Sequence, residues 1–227
     1  MMSGLSLSTS FPKICKVTLG VLWLSITGCN APVTPTESVT SEASPSPTGT
    51  SPEAIAPSPE SSDLWTQLQQ QNAPYFVLIR HAIAPGSGDP AHFEIDDCST
   101  QRNLSDQGRS QAQRTGDAFR ENGVTVDQVL SSQWCRCLET AELLNLGTVE
   151  LYAPLNSFFR DRSTEPQQTA QVRQYMAAQD DPGVTVMVTH FVNIAALTGS
   201  GVSSGEMVVV RINDQDELEV LGQIEPF

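Results

Sequence analysis

Tyr75-Phe-Val-Leu-Ile79, Val184-Thr-Val-Met-Val188 and Met207-Val-Val-Val210 are apolar runs of strand length, each bounded by polar or turn-forming residues. Runs that do not alternate with polar positions suit strands covered on both faces. Asp127-Gln-Val-Leu130 is a shorter, weaker fourth. Between these runs the apolar spacing changes to threes and fours. Ala112, Thr115, Gly116 and Phe119 fall on one face of a helix that Ser105 can cap and Gly123 can end. A second helix is predicted from about Cys135 to Leu146, before Gly147. A third opens at Thr164-Glu-Pro-Gln167, which has capping-box spacing with Pro early in the first turn, and it ends before Pro182-Gly183. Strands alternating with helices predict an α/β fold: a three-layer α/β/α sandwich around a mostly parallel sheet.

This patterned stretch runs from residue 63 to residue 227. Residues 30–62 are dominated by Pro, Ser, Thr and Ala, with Glu as the only charged type. Such a composition buries too little apolar surface to offset the entropy of ordering its backbone, so residues 29–62 are predicted to be a disordered tether. Residues 1–28 have a different character. Lys13 and Lys16 precede the apolar run Val17 to Ile26, which has signal-peptide length and falls short of the roughly 20 residues of a membrane-spanning helix. Ile26-Thr-Gly-Cys29 resembles the lipobox of bacterial lipoproteins. That resemblance implies cleavage before Cys29, lipid on Cys29, and an exported domain held on the extracytoplasmic side of a bacterial membrane. Ordinary secretory cleavage near the same place is the alternative.

Charge narrows the chemistry. The formal net charge is -14, and the only two lysines, Lys13 and Lys16, lie in the predicted signal. Such an acidic chain is a poor electrostatic partner for nucleic acid. An anion site in the rest of the chain must be built from Arg, His and backbone N–H groups.

In open α/β sheets, ligands sit at the carboxyl ends of the strands. The first predicted strand runs directly into Arg80-His81, the second into Ser131-Ser132-Gln-Trp-Cys-Arg136, and the third into Thr189-His190. Three strand ends therefore deliver two arginines and two of the three histidines of the chain. Each taken singly is more often an ion-pair or structural residue. Together they suit phosphoryl transfer through histidine: a neutral imidazole can attack phosphorus without prior deprotonation. Guanidinium groups grip phosphate oxygens in pairs and stay charged throughout. Arg136 would lie near a helix start, which also favours anions.

With these residues in place the chain resembles the histidine phosphatase superfamily, also called phosphoglycerate-mutase-like. The resemblance covers Tyr75 to about Ile212. It rests on Leu78-Ile-Arg80-His81-Ala82 for the family's R-H-G signature and on Arg102-Asn-Leu-Ser-Asp-Gln-Gly108-Arg-Ser-Gln-Ala112 for its L-T-x-x-G-x-x-Q-A helix start. Val129 to Ala141, with Arg136 and Thr140, matches S-x-x-x-R-x-x-x-T-A. Val188-Thr-His190 and Gly205-Glu206 match the late histidine and a late G-E turn. The resemblance implies that His81 becomes phosphohistidine, that Arg80, Arg136 and His190 hold the phosphoryl oxygens, and that Asn103 is among the substrate-binding residues. It implies no metal and no organic cofactor. The short spacings look more like the small bacterial phosphatase branch, which includes phosphohistidine phosphatases, than like the mutases, whose sugar-phosphate substrates are cytosolic.

The chain departs from the family at the proton donor. One branch carries Asp directly after the late His, but Phe191 stands there; the mutase branch carries Glu at a position where this chain has Ser157. Asp161 and Glu165 lie in the right region and are the candidate donors. Asp89, Glu94, Asp96 and Asp97, in the loop after His81, are further candidates that ordinary surface roles also explain. Ala82 in place of Gly adds one methyl group.

The expected activity is therefore that of a membrane-anchored, metal-independent phosphatase acting on a small phosphorylated substrate or a phosphoprotein. The alternative is an anchored phosphate-binding module that has lost turnover. Outside the predicted signal and lipid site, Cys98, Cys135 and Cys137 make an odd number. A disulfide from Cys98 to either of the other two, Cys137 being the one put forward here, would tie the loop after the nucleophile to the Arg136 helix. A Cys-x-Cys metal site is disfavoured, because His92 does not complete a ligand set.

Overall fold

In the computed structural model the described residues are 59–227. The predicted signal peptide, Cys29 and all but the end of the tether lie outside them.

The three longest apolar runs lie side by side in the middle of one six-stranded sheet. The strands are β1 (Pro74–Arg80), β2 (Gln128–Ser131), β3 (Val149–Leu151), β4 (Gly183–Thr189), β5 (Met207–Ile212) and β6 (Leu218–Ile224), in the spatial order β3-β2-β4-β1-β5-β6. The pairs β3-β2, β2-β4 and β4-β1 are parallel. β5 runs antiparallel to both β1 and β6, so five of the six strands point the same way.

Successive residues of a strand face opposite sides, and β1 supplies both cores in this manner. Tyr75, Val77 and Ile79 pack on one side with Leu64, Trp65, Leu68, Phe119 and Leu144. Phe76 and Leu78 pack on the other with Leu130, Val172, Met176, Ile194 and Leu197. The first side is covered by α1 (Pro59–Gln70), α2 (Asp106–Glu121) and α3 (Cys135–Leu144). The second is covered by α4 (Glu165–Ala177) and α5 (Phe191–Thr198). This is the expected three-layer sandwich. Each fully buried large side chain contributes about 1.5–3 kcal/mol.

Several elements depart from the pattern-based expectation. α1 begins at Pro59, four residues before the boundary that composition suggested, because Leu64, Trp65 and Leu68 supply an apolar face that the Pro/Ser content upstream obscures. α3 stops at Leu144, where Asn145 turns left-handed (φ 51°). The capping box at Thr164 does not form. Thr164 is helical, its hydroxyl donates to Asp161 O, and Asp161 instead caps the short 3₁₀ turn Arg162–Thr164.

Candidate active site

The parallel neighbours β2, β4 and β1 end together, and the sheet ladder continues one residue beyond them. His81 N–H donates to Thr189 O at 2.9 Å, and Ser132 N–H donates to Val188 O at 3.0 Å. Backbone pairing thus fixes His81, Ser132 and His190 at one lip of the sheet. The two imidazole rings lie 5.5 Å apart, centroid to centroid.

His81 is buried, and its Nδ1 lies 2.9 Å from Ala82 O. A carbonyl oxygen only accepts, so Nδ1 carries the proton and Nε2 keeps its lone pair. Burial, reinforced by the charge of Arg136, lowers the His81 pKa to about 3. The ring is therefore neutral at ordinary pH. Burial and Arg136 also push His190 well below the usual imidazole range. Its Nδ1 accepts from Arg136 Nη2 at 3.4 Å. Its Nε2–H then donates to Ser132 Oγ at 3.0 Å, and the Ser132 O–H in turn donates to Asn156 Oδ1 at 3.1 Å.

Three guanidinium groups converge on this lip. Arg80, the last residue of β1, donates through Nη1 to Val202 O at 2.7 Å and lies over the Phe191 ring at 5.6 Å. Arg136, the second residue of α3, is 3% exposed and is gripped by Asp89: Nη1 to Oδ1 at 2.6 Å and Nη2 to Oδ2 at 3.2 Å. Arg102 donates through Nε to Gly88 O at 2.9 Å and through Nη1 to Ala84 O. The Nε atoms of Arg80 and Arg136 are buried without a hydrogen-bond partner among the described residues. Such donors carry a desolvation cost of about 1–3 kcal/mol each. These residues line a cleft of about 500 Å³ together with His81, His190, Trp134, Phe159 and Phe191.

The loop after His81 forms the opposite wall. Its Asp89 also accepts from Trp134 Nε1 at 3.2 Å and from Arg102 N–H at 3.3 Å. Arg136 holds its carboxyl below the usual carboxylate range against the opposing effect of burial. The loop is stapled to the start of α3 by a disulfide between Cys98 and Cys135, not between Cys98 and Cys137. Residues two positions apart on an α-helix lie about 200° apart around its axis, so Cys135 and Cys137 cannot face the same way. Cys135 faces the loop, whereas Cys137 is a buried free thiol 3.4 Å from His190 Nε2. Burial pushes its pKa up to about 12. Gln101 braces the staple, accepting from Cys135 N–H at 2.9 Å and donating to Glu94 O and Ile95 O.

Gln111 joins this wall to the far side of the site. Its Oε1 accepts from Ile83 N–H at 3.1 Å and its Nε2 donates to Ser204 O at 2.9 Å. Gly205 passes so close that a Cβ there would sit 2.5 Å from Gln111 Cδ, and its φ is +81°. Gly108 approaches Ile83 still more closely, since its Cβ would lie 2.1 Å from Ile83 O. The helix-start motif thus works by allowing close backbone contact with the loop that leaves His81.

Arg80, His81, Arg136 and His190 are therefore brought together. Asn103 is not with them: its Nδ2 donates to Cys98 O and Gln101 O, holding the loop, and its neighbour Arg102 lines the cleft instead. Asp161 lines the cleft, with its carboxylate accepting from Ser163 N–H, which lowers its pKa. Glu165 does not line it and pairs with Arg162 at 2.6 Å. Glu94, Asp96 and Asp97 are exposed on the loop and lie outside the cleft lining. Spacing does not single out Arg102, and the sequence offers Asp89 only as one of several candidate proton donors, not as the partner of Arg136. The proximity of Arg102 to the helix-start motif was the available signal, whereas Asp89 enters only through the path of the loop.

Residues 76–157 match the family model of the histidine phosphatase superfamily (branch 1). The mitochondrial serine/threonine-protein phosphatase Pgam5 of Drosophila grimshawi is 32% identical over 74 residues, which are 33% of this chain and 23% of that protein. The Pgam5 of Drosophila virilis gives the same identity and coverage. The chain thus spans about a quarter of the length of the curated relatives it matches. Among solved structures, the protein histidine phosphatase SixA in complex with tungstate superposes with a TM-score of 0.51 at 13% identity, covering 66% of this chain and 96% of that one. This likeness shows a shared fold.

Proposed function

We propose that this chain is a metal-independent phosphomonoester or phosphohistidine phosphatase that works through a phosphohistidine intermediate on His81. The observation that carries the reading is the fixed tautomer of a neutral His81, with an Nε2 lone pair beside three arginines. Nε2 attacks phosphorus and the ester oxygen leaves. The positive charge that develops on the ring is stabilised by the Nδ1–H bond to Ala82 O. Arg80, Arg102 and Arg136 neutralise the non-bridging oxygens, worth more in a partly buried cleft than in water. Water then attacks the phosphoryl group, breaks the P–N bond and restores the imidazole. In this reading His190 contacts the phosphoryl group from the neighbouring strand once its Nε2–H exchanges Ser132 Oγ for a phosphoryl oxygen.

Ile26-Thr-Gly-Cys29 supports the further reading that the domain is exported and lipid-anchored through Cys29 to a bacterial membrane, with substrates met outside the cytoplasm. Labelling with a radioactive fatty acid tests this; label that persists in Cys29→Ser overturns it.

Activity is tested by phosphate release from para-nitrophenyl phosphate by the full chain in EDTA, wild type against His81→Ala. Turnover that vanishes in the variant supports the phosphohistidine route. The engagement of Arg136 by Asp89 favours one second reading, a phosphate-binding module without turnover. No hydrolysis, together with a melting temperature raised by phosphate, would decide for it.

A further inference from the structure

The cleft has an apolar half that phosphate does not need. Phe93 and Trp134 stack at 4.9 Å with 23° between their planes, and both line the cleft. Phe159 and Phe191 also line it and are 56% and 44% exposed. Apart from Phe227 near the chain end, these are the exposed large aromatics among the described residues. Large apolar side chains exposed beside a charged pocket mark where an apolar part of a ligand sits. The geometry favours a flat one, since a stacked pair and two further rings flank the opening.

The proton inventory of the cleft points to the same ligands independently. Among the described residues two carboxylates line it. Asp89 is locked in its ion pair with Arg136, and Asp161 accepts from Ser163 N–H; both are held anionic. The two imidazoles are neutral, each with its proton engaged by Ala82 O or Ser132 Oγ. The guanidinium groups do not give up protons. A leaving oxygen must therefore depart without a proton from a side-chain acid. A phenol, with a pKa of about 10, tolerates this. An aliphatic alcohol, close to the roughly 15.7 of water, does not.

We infer that the substrates of this site carry their phosphoryl group on a flat aromatic hydroxyl, as in phosphotyrosine and other aryl phosphates, with the ring held between the Phe93–Trp134 stack and Phe159. This deepens the phosphatase reading and rests on it. The attack of His81 Nε2 on phosphorus breaks the P–O bond, the electron pair leaves with the phenolate, and solvent supplies the proton to the released phenolate.

The test compares phenyl, benzyl and propyl phosphate on the full chain, with inorganic phosphate as competitor. Benzyl phosphate keeps the ring but leaves as an aliphatic alcohol. We expect kcat/KM for phenyl phosphate to exceed that for benzyl phosphate by at least about 10²-fold, the usual worth of a proton donor. Benzyl phosphate should compete better than propyl phosphate by about three- to tenfold, the worth of an aromatic contact. Phe159→Ala should raise KM for phenyl phosphate by a similar factor while leaving inhibition by inorganic phosphate unchanged; Phe159 is exposed, so the variant keeps its core. Benzyl or propyl phosphate turned over as fast as phenyl phosphate overturns the inference while leaving the phosphatase reading intact. If no ester is hydrolysed, the phosphatase reading fails, and competition decides the ring site by itself: phenylphosphonate bound no better than propylphosphonate overturns it.

Discussion

Asp89 sets its two carboxylate oxygens on the two terminal nitrogens of the Arg136 guanidinium, the paired geometry in which such a group also grips phosphate. The remaining hydrogens of those nitrogens are directed to Arg102 O and His190 Nδ1. Arg136 can therefore offer these two nitrogens to an anion only in competition with Asp89, whereas its Nε, buried without a partner among the described residues, is free while the ion pair holds. Removing one partner of a buried pair costs about 3–5 kcal/mol because the other is left uncompensated. Asp89→Asn should lower the melting temperature in plain buffer and enlarge the upward shift produced by inorganic phosphate. Differential scanning calorimetry with and without phosphate checks this; an unchanged phosphate shift sinks the competition.

The neutral histidines set the acid limb of stability. His81 has its folded pKa near 3 against about 6.5 when unfolded, and His190 is lowered in the same sense. Between those values the unfolded chain binds more protons than the folded one, so stability is full above about pH 6.5 and is lost as pH falls toward 3. Asp89, also lowered, adds a loss in the same direction below the carboxylate range. Urea unfolding at pH 7.5 and 4.5 should show lower stability at the acid pH, with a smaller loss in His81→Gln. Equal stability at the two pH values would contradict neutral burial.

The Cys98–Cys135 staple closes a span of 37 residues, for which loop-closure entropy gives about 3–4 kcal/mol. The span contains Gln101 and Arg102, and Asp89 lies just before it in the same loop. Cys98→Ser is expected to lower the urea midpoint and to raise KM more than it lowers kcat, because it loosens the cleft wall and leaves His81 in place. Cys137, buried and with its pKa pushed up to about 12, should resist iodoacetamide in the folded protein and react after denaturation. Mass spectrometry of the labelled peptides reads both states.

Gly205→Ala places a methyl group against Gln111 at a backbone angle that L-residues rarely adopt. A loss of about 1–3 kcal/mol is expected, seen in thermal melts, with reduced activity because Gly205 N–H donates to Arg80 O. Activity and stability both equal to wild type would show that the Gln111 bridge is dispensable.

How far the sequence exposes this architecture depends on how local each feature is. β1, β4 and β5 are legible because strands buried on both faces must be uninterruptedly apolar. β3 and β6 lie at the sheet edges, where partly exposed residues such as Glu150 and Glu219 erase the pattern. α5 begins directly after His190 and is only eight residues long, too short to show a period. Arg80, His81, Arg136 and His190 are legible because they follow strands or open a helix, where sheet topology alone brings them together. Asn103 misleads because its neighbour in the chain, rather than Asn103 itself, faces the cleft. The partner of Cys98 depends on a two-residue rotation around α3, and the role of Asp89 depends on the full course of a loop whose composition reads as solvent-exposed.

Finally, β1 stands between β4 and β5, strands that enter the chain more than a hundred residues after it. His81 and His190 are neighbours through that pairing, so no early-folding stretch of the polypeptide contains the site. Contacts of such long range form late and slowly. The anion pocket is thus a readout of completed folding: a ligand bound there stabilises the whole sheet at once, and a partly folded chain has nowhere to put it.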